Sequence, residues 1–128
     1  MRARDTSIYK SAYELTKELF MITMNYDKRY RRTIAERMQN ECLDLLNYII
    51  LTNAERNNDA RLKYMDVLNN KSSAIMTLMN LSVELHLLSY KEEARLSRYL
   101  VEYAKQLTGW RKYVLNRKSN EGANSQGS

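Results

Sequence analysis

A chain of 128 residues has room for one hydrophobic core and not for two ordinary ones. It has no Pro, and its three Gly stand at 109, 122 and 127, so the first 108 residues lack both of the strongest chain punctuators. That pattern argues against turn-rich sandwiches and doubly wound sheets and predicts long helices. Lys and Arg outnumber Asp and Glu by 21 to 15, giving +6.

The excess charge is gathered in two places. Residues 28 to 37 carry Lys28, Arg29, Arg31, Arg32 and Arg37 against Glu36; residues 105 to 128 carry Lys105, Arg111, Lys112, Arg117 and Lys118 against Glu121, so each segment is +4. Two readings of such clusters stand, a solvated surface or contact with an anionic partner such as nucleic acid or an acidic protein face. The single Cys, Cys42, has no internal disulfide partner, which fits a reducing compartment. No apolar run approaches the roughly 20 residues of a membrane span, and the N-terminus has no signal-peptide core, so a cytoplasmic protein without a membrane role is expected.

In chain order, residues 1 to 6 read as a flexible arm. Residues 7 to 24 form a first helix with Ile8, Ala12, Leu15, Leu19 and Ile22 on one stripe, flanked by Tyr9, Tyr13 and Phe20; Ser7 or Thr6 is placed to cap it. Residues 25 to 28 are a connector, and Asp27 is placed to cap a second helix running to about residue 53. Its inward set is Ile34, Met38, Cys42, Leu45 and Ile49, and Cys42 on that side reads as a buried structural thiol. The cations Arg29, Arg31 and Arg32 sit at the positive end of this helix's dipole, where like charge is mildly unfavourable.

Asn57 and Asn58 favour a turn, with Asp59 as the cap of a third helix over about 60 to 88. Leu62, Leu68, Ile75, Leu78, Leu81, Leu85 and Leu88 supply its stripe, while Met65, Met76, Met79 and Val83 lie on its other sides. A helix apolar on more than one face needs more cover than one bundle gives it, and self-association is expected. Ser89-Tyr90-Lys91-Glu92 is a capping box that opens a fourth helix. Leu96, Leu100, Tyr103, Leu107, Trp110 and Val114 run along it at spacings of three and four. Gly109 interrupts this helix, which predicts close approach of another backbone. Residues 119 to 128 have no large apolar side chain and read as a disordered polar tail. The fold class is therefore all-α, an up-down-up-down antiparallel four-helix bundle over 7 to 118.

The chemistry of an enzyme is not visible. A di-iron bundle uses Glu-x-x-His pairs, and the residue three before the only His, His86, is Val83; His86 reads as a surface residue. Phosphate-binding glycine loops are missing from the first 108 residues, and nothing orients Cys42 and His86 into a nucleophile pair. Neither metal nor cofactor is expected. The remaining candidate site is cationic: Lys28, Arg29, Arg31, Arg32 and Arg37 with Tyr26 and Tyr30 nearby, and Arg111, Lys112, Arg117 and Lys118 beside Trp110 and Tyr113. Arg and Lys contact phosphates and aromatic faces stack on unpaired bases; Trp110 itself reads as part of the core stripe.

Four stretches together resemble a known family: Tyr30-Arg31-Arg32-Thr33-Ile34-Ala35-Glu36-Arg37-Met38; Ala54-Glu55-Arg56 with Arg61; Leu85-His86-Leu87-Leu88-Ser89; and Leu107-Thr108-Gly109-Trp110. Over about residues 8 to 115 the chain is similar to the four-helix-bundle proteins that include the accessory variability determinant of diversity-generating retroelements and the proteins encoded by 23S rRNA intervening sequences. That resemblance implies a homopentamer of bundles that binds a reverse transcriptase and structured RNA or RNA/DNA, with Arg29, Arg31, Arg32, Arg37, Arg111 and Lys112 as basic contacts. The intervening-sequence branch implies a different role, a protein-interaction scaffold with an acidic partner. The chain departs from its relatives at Ala35 and Thr108, where Gly is common, and in the first connector, which lacks their Pro.

Overall fold

A computed structural model describes residues 1–127 of the protein, with side chains through residue 122. Its long elements are α1 (Ser7–Thr23), α2 (Glu36–Ala54), α3 (Asn58–Glu84) and α4 (Tyr90–Gly127), and no strand occurs among the described residues. Each helix packs against its two sequence or cyclic neighbours: α1 on α2 and α4, α3 on α2 and α4. Successive helices run antiparallel. Gln39 Nε2 near the start of α2 donates to Thr23 Oγ1 at the end of α1 (3.0 Å), and Tyr103 Oη in α4 donates to the Leu68 carbonyl in α3 (3.2 Å).

The ends of these helices are written in local side-chain chemistry. Thr6 Oγ1 accepts from the Tyr9 amide at 3.2 Å and caps α1. Asn57 Oδ1 accepts from the Ala60 amide at 2.9 Å, so Asn57 and not Asp59 caps α3; the turn is fixed first by Glu55 Oε1, which accepts from the amides of Arg56 and Asn57. The capping box at α4 is formed as its sequence predicts, with Ser89 Oγ accepting from the Glu92 amide (3.1 Å) and Glu92 Oε1 from the Ser89 amide (3.0 Å).

The predicted inward stripes of α1 and α4 are buried, Trp110 being only partly so. Cys42 is fully buried, and its thiol is pushed up to about 12 by burial, so it packs as a small apolar group. Tyr103 is buried with its hydroxyl satisfied by Leu68, and burial raises its pKa above the ordinary tyrosine value. The buried hydroxyls of Thr16, Thr23 and Thr52 each donate to the carbonyl four residues back, at 2.7, 2.7 and 2.6 Å.

The third helix differs from its sequence reading. Its buried stripe is Met65, Leu68, Ile75, Met79 and Ser82, whereas Leu81 and Leu85 are exposed. The methionines fill the core because they lie in line with Leu68 and Ile75 at helical spacing, and thioethers adapt to irregular gaps. The helix also stops at Glu84 rather than near 88. His86 takes a left-handed conformation (φ 62°), its amide bonds the Val83 carbonyl (3.0 Å), and the Leu87 amide bonds the Ser82 carbonyl (2.8 Å). This is a Schellman stop with His where Gly is usual.

Three further expectations are revised. Residues 3 to 5 of the expected flexible arm form a 3-10 turn, Ala3–Asp5, with the Met1 carbonyl accepting from Asn53 Nδ2 at 3.0 Å. α4 continues through the expected polar tail to Gly127, because no Pro interrupts the chain there, and Glu121 Oε2 accepts from Asn58 Nδ2 (2.9 Å); Ser128 lies outside the described residues. No atom lies within 4 Å of the position a side chain on Gly109 would occupy, so no backbone of this chain approaches it closely.

Candidate nucleic-acid interface

Between α1 and α2 the chain does not enter a helix directly. Asp27 Oδ1 accepts from the Arg29 amide (2.9 Å) and starts a 3-10 turn, Lys28–Tyr30; a π-turn, Arg31–Ala35, follows, in which the Glu36 amide bonds the Arg31 carbonyl. A π-turn holds one residue more than an α-turn and is often found at functional sites. Here Ile34 and Ala35 remain buried while Arg31, Arg32 and Thr33 all face solvent. The predicted cations Lys28, Arg29, Arg31, Arg32 and Arg37 are all exposed in this one corner of the molecule.

Their partners divide them. Arg29 is clamped by Asp27 through Nε (3.2 Å) and Nη2 (3.2 Å) and lies 5.6 Å from the centre of the Tyr30 ring. The guanidinium bonds hold the Asp27 carboxyl below its ordinary value, and the carboxylate raises Arg29 in return. Arg31 Nε donates to the Tyr26 carbonyl at 3.4 Å. Among the described residues, Lys28, Arg31, Arg32 and Arg37 have no carboxylate within ion-pair distance. An open crevice of about 500 Å³ lies beside Arg29, lined also by Asn25, Asp27, Tyr30, Leu85 and His86 among others.

Tyr26 is not available to a ligand. It is buried, and its hydroxyl points at Met38 Sδ (3.8 Å), which Ser82 Oγ also approaches (3.7 Å). Burial raises its pKa. Tyr30 is partly exposed.

The second predicted cluster lies elsewhere. α4 starts beside the α2 corner and runs away from it, so Arg111 stands about 31.5 Å further along the bundle axis at 1.5 Å per residue. There Arg111 Nη1 meets Asp66 Oδ1 at 2.7 Å and Lys118 Nζ meets Asp59 Oδ1 at 2.6 Å, both across α3 and α4. Arg117 donates to the Tyr113 hydroxyl (2.9 Å) and sits over that ring at 5.6 Å. Lys112 and Arg117 are exposed with no ion-pair partner among the described residues. Trp110 is partly buried, and the Arg61 guanidinium lies 5.7 Å from its ring centre. That contact anchors α4 on α3.

The structure thus brings together each predicted cluster but not the two with each other. Lys91 and Arg98, which neither predicted segment contains, are exposed on the outer face of α4 together with Lys105, which the second segment contains but the candidate site did not. The signal for them was a period of seven residues ending at Lys112, hidden by the ordinary scatter of charges along a solvated helix. No group of three or more His, Cys, Asp or Glu that could hold a metal occurs among the described residues, and no described helix is long and apolar enough to cross a membrane. The chain matches no family model, and a search of curated proteins finds no match.

Proposed function

We propose that the protein is a non-enzymatic, basic, oligomeric adapter of the cytoplasm that binds structured RNA or RNA/DNA and a reverse transcriptase, in the manner of the accessory variability protein of a diversity-generating retroelement. The observation that carries this reading is the α2 corner, where Lys28, Arg31, Arg32 and Arg37 stand exposed and free of carboxylate partners among the described residues. Unpaired, solvent-facing guanidinium groups keep their full capacity for phosphate oxygens. The sequence resemblance supplies the reverse transcriptase and the pentamer.

Self-association has a surface to use. Tyr13 and Phe20 on α1 are 50% and 36% exposed, and Leu43 and Ile50 on α2 are 47% and 46% exposed. In the antiparallel register set by Gln39 and Thr23, Phe20 lies level with Leu43 and Tyr13 with Ile50. This strip spans two neighbouring helices, whereas on α3 Met65 and Met79 are in the core and Met76 and Leu81 remain exposed. The same strip favours the second reading, a protein-interaction scaffold of the intervening-sequence type whose basic corner meets an acidic protein.

Purified protein separates the two. The first reading expects nucleic acid to co-purify at low salt and to be displaced by high salt, and a co-expressed reverse transcriptase to be retained. Protein that emerges free of nucleic acid and fails to bind added structured RNA at low salt overturns it. Light scattering tests the assembly; a monomer mass at high concentration contradicts the oligomer.

A further inference from the structure

Lys91, Arg98, Lys105 and Lys112 stand at every seventh residue of α4, and all four are exposed. Seven residues turn an α-helix by almost two full turns, so the four cations form one ridge that drifts only slowly around the helix. Successive charges are about 10.5 Å apart and the ridge is about 31.5 Å long at 1.5 Å per residue. None of the four is in an ion pair among the described residues. The nearest carboxylate on the helix, Glu102, accepts instead from Gln106 Nε2 at 3.4 Å. Across the groove on α1, Glu14 is taken by Lys17 (3.3 Å) and Glu18 by Arg95 (3.6 Å).

The uncharged side chains between the cations are small, and the charged ones are Arg95, paired with Glu18, and Glu102. Ala94, Thr108 and Gly109 share this outer face, Val101 is its largest apolar side chain, and open space surrounds Gly109. A low ridge of this kind lets a charged cylinder lie against the helix. It has no aromatic side chain between its cations on which a base could stack, and no large apolar group to enter a bilayer or to anchor a protein hot spot. We infer that the α4 ridge is a second binding surface, separate from the α2 corner, that contacts the phosphates of a double-helical nucleic acid along about one turn, since a duplex turn of about 34 Å matches its length. This inference rests on the nucleic-acid reading above and adds to it where and in what form the nucleic acid lies. It also gives Gly109 a role at the surface rather than against another helix.

The test uses the full chain in four forms: unaltered; K91Q/R98Q/K105Q/K112Q; K91R/K105R/K112R; and R31Q/R32Q/R37Q. Each is titrated against a fluorescent RNA duplex of about 20 base pairs, longer than the ridge, and against a uridine homopolymer of equal length, over a salt series, with thermal melts as the folding control. The quadruple ridge variant is expected to lose about 3 to 4 units from the slope of log K against log salt on the duplex, at about 0.9 per phosphate contact. It should lose less on the single strand, and the arginine variant should keep the full slope. A ridge variant that melts like the unaltered protein and retains its duplex slope overturns the ridge while leaving the α2 corner standing. Equal losses on duplex and single strand overturn the duplex assignment. Binding of the unaltered chain to phosphatidylserine vesicles that depends on the ridge, with an unchanged duplex slope, overturns it also. Failure of the unaltered chain to bind either nucleic acid at low salt overturns the functional reading itself.

Discussion

The start of α2 and the end of α4 are alike in sequence and opposite in structure. Each segment carries five cations against one carboxylate, yet the α4 end faces the N-terminal turns of α3, where Asp59 and Asp66 reach across to Lys118 and Arg111. The α2 corner faces Leu85, Leu87 and the His86 turn, and among the described residues its one ion pair is the local one between Asp27 and Arg29. Charge counted along a chain is therefore a poor guide to charge presented. The same residues hold the bundle shut at one end and remain free at the other.

Both ends are joined by one core, and the largest expected effect is on that core. Cys42 has a folded pKa near 12 against an ordinary 9.0, so its contribution to stability is complete below pH 9 and is lost as pH rises toward 12. The loss amounts to up to about 4 kcal/mol, at 1.36 kcal/mol per pKa unit. Melting temperature should fall above pH 9, less steeply in C42A, and Trp110 fluorescence should follow helical circular dichroism. A Trp110 transition that precedes the loss of helix would show that the α4 end is a separate unit.

The contrast between the ends is sharpened by charge removal. R31Q/R32Q/R37Q should weaken binding to structured RNA at least about tenfold at low salt, as expected for losing three phosphate contacts. R111Q/K118Q should change it less than about twofold, because those groups are already paired. Equal losses from the two variants, measured by anisotropy, would erase the distinction.

Smaller effects test the backbone at each end. H86G, beside the α2 corner, relieves a left-handed conformation that costs a non-glycine residue about 1 kcal/mol and should raise the urea midpoint accordingly. G109A, toward the α4 end, should stabilise the protein by about 0.5 to 1 kcal/mol, since the added methyl meets open space and Ala favours helix. A destabilised G109A would instead reveal a backbone packed there in an assembly. Last, D66N should cost only about 0.2 to 1 kcal/mol, the range of an exposed pair, while releasing Arg111 and raising RNA affinity slightly.

Much of this was legible in the residues. Thr6 and the Ser89-Glu92 box mark real α-helix starts because capping involves neighbours in sequence, whereas Asp27 starts a 3-10 turn and α2 itself begins only at Glu36. The buried stripes of α1 and α4 follow from spacing because each of those helices has one apolar side. α3 was ambiguous for the opposite reason: it is apolar on several sides, and spacing within one helix does not say which of them its neighbours will cover. Tyr26 looked like a binding aromatic because it is flanked by cations, but α2 and α3 close over it around Met38 and Ser82. The Schellman stop at His86 carries no glycine to announce it.

The candidate site divides along the same line. That residues 28 to 37 and 111 to 118 are basic, that four helices form, and that Cys42 belongs inside were determined by the sequence alone, since they depend on composition and on periods of three and four. That the two basic segments lie at opposite ends, that Asp66 and Asp59 claim Arg111 and Lys118, and that Arg61 meets Trp110 across 49 residues were decided by the tertiary structure. Antiparallel packing sets residues far apart in the chain at one level of the bundle, and the charge left free is whatever that pairing does not neutralise.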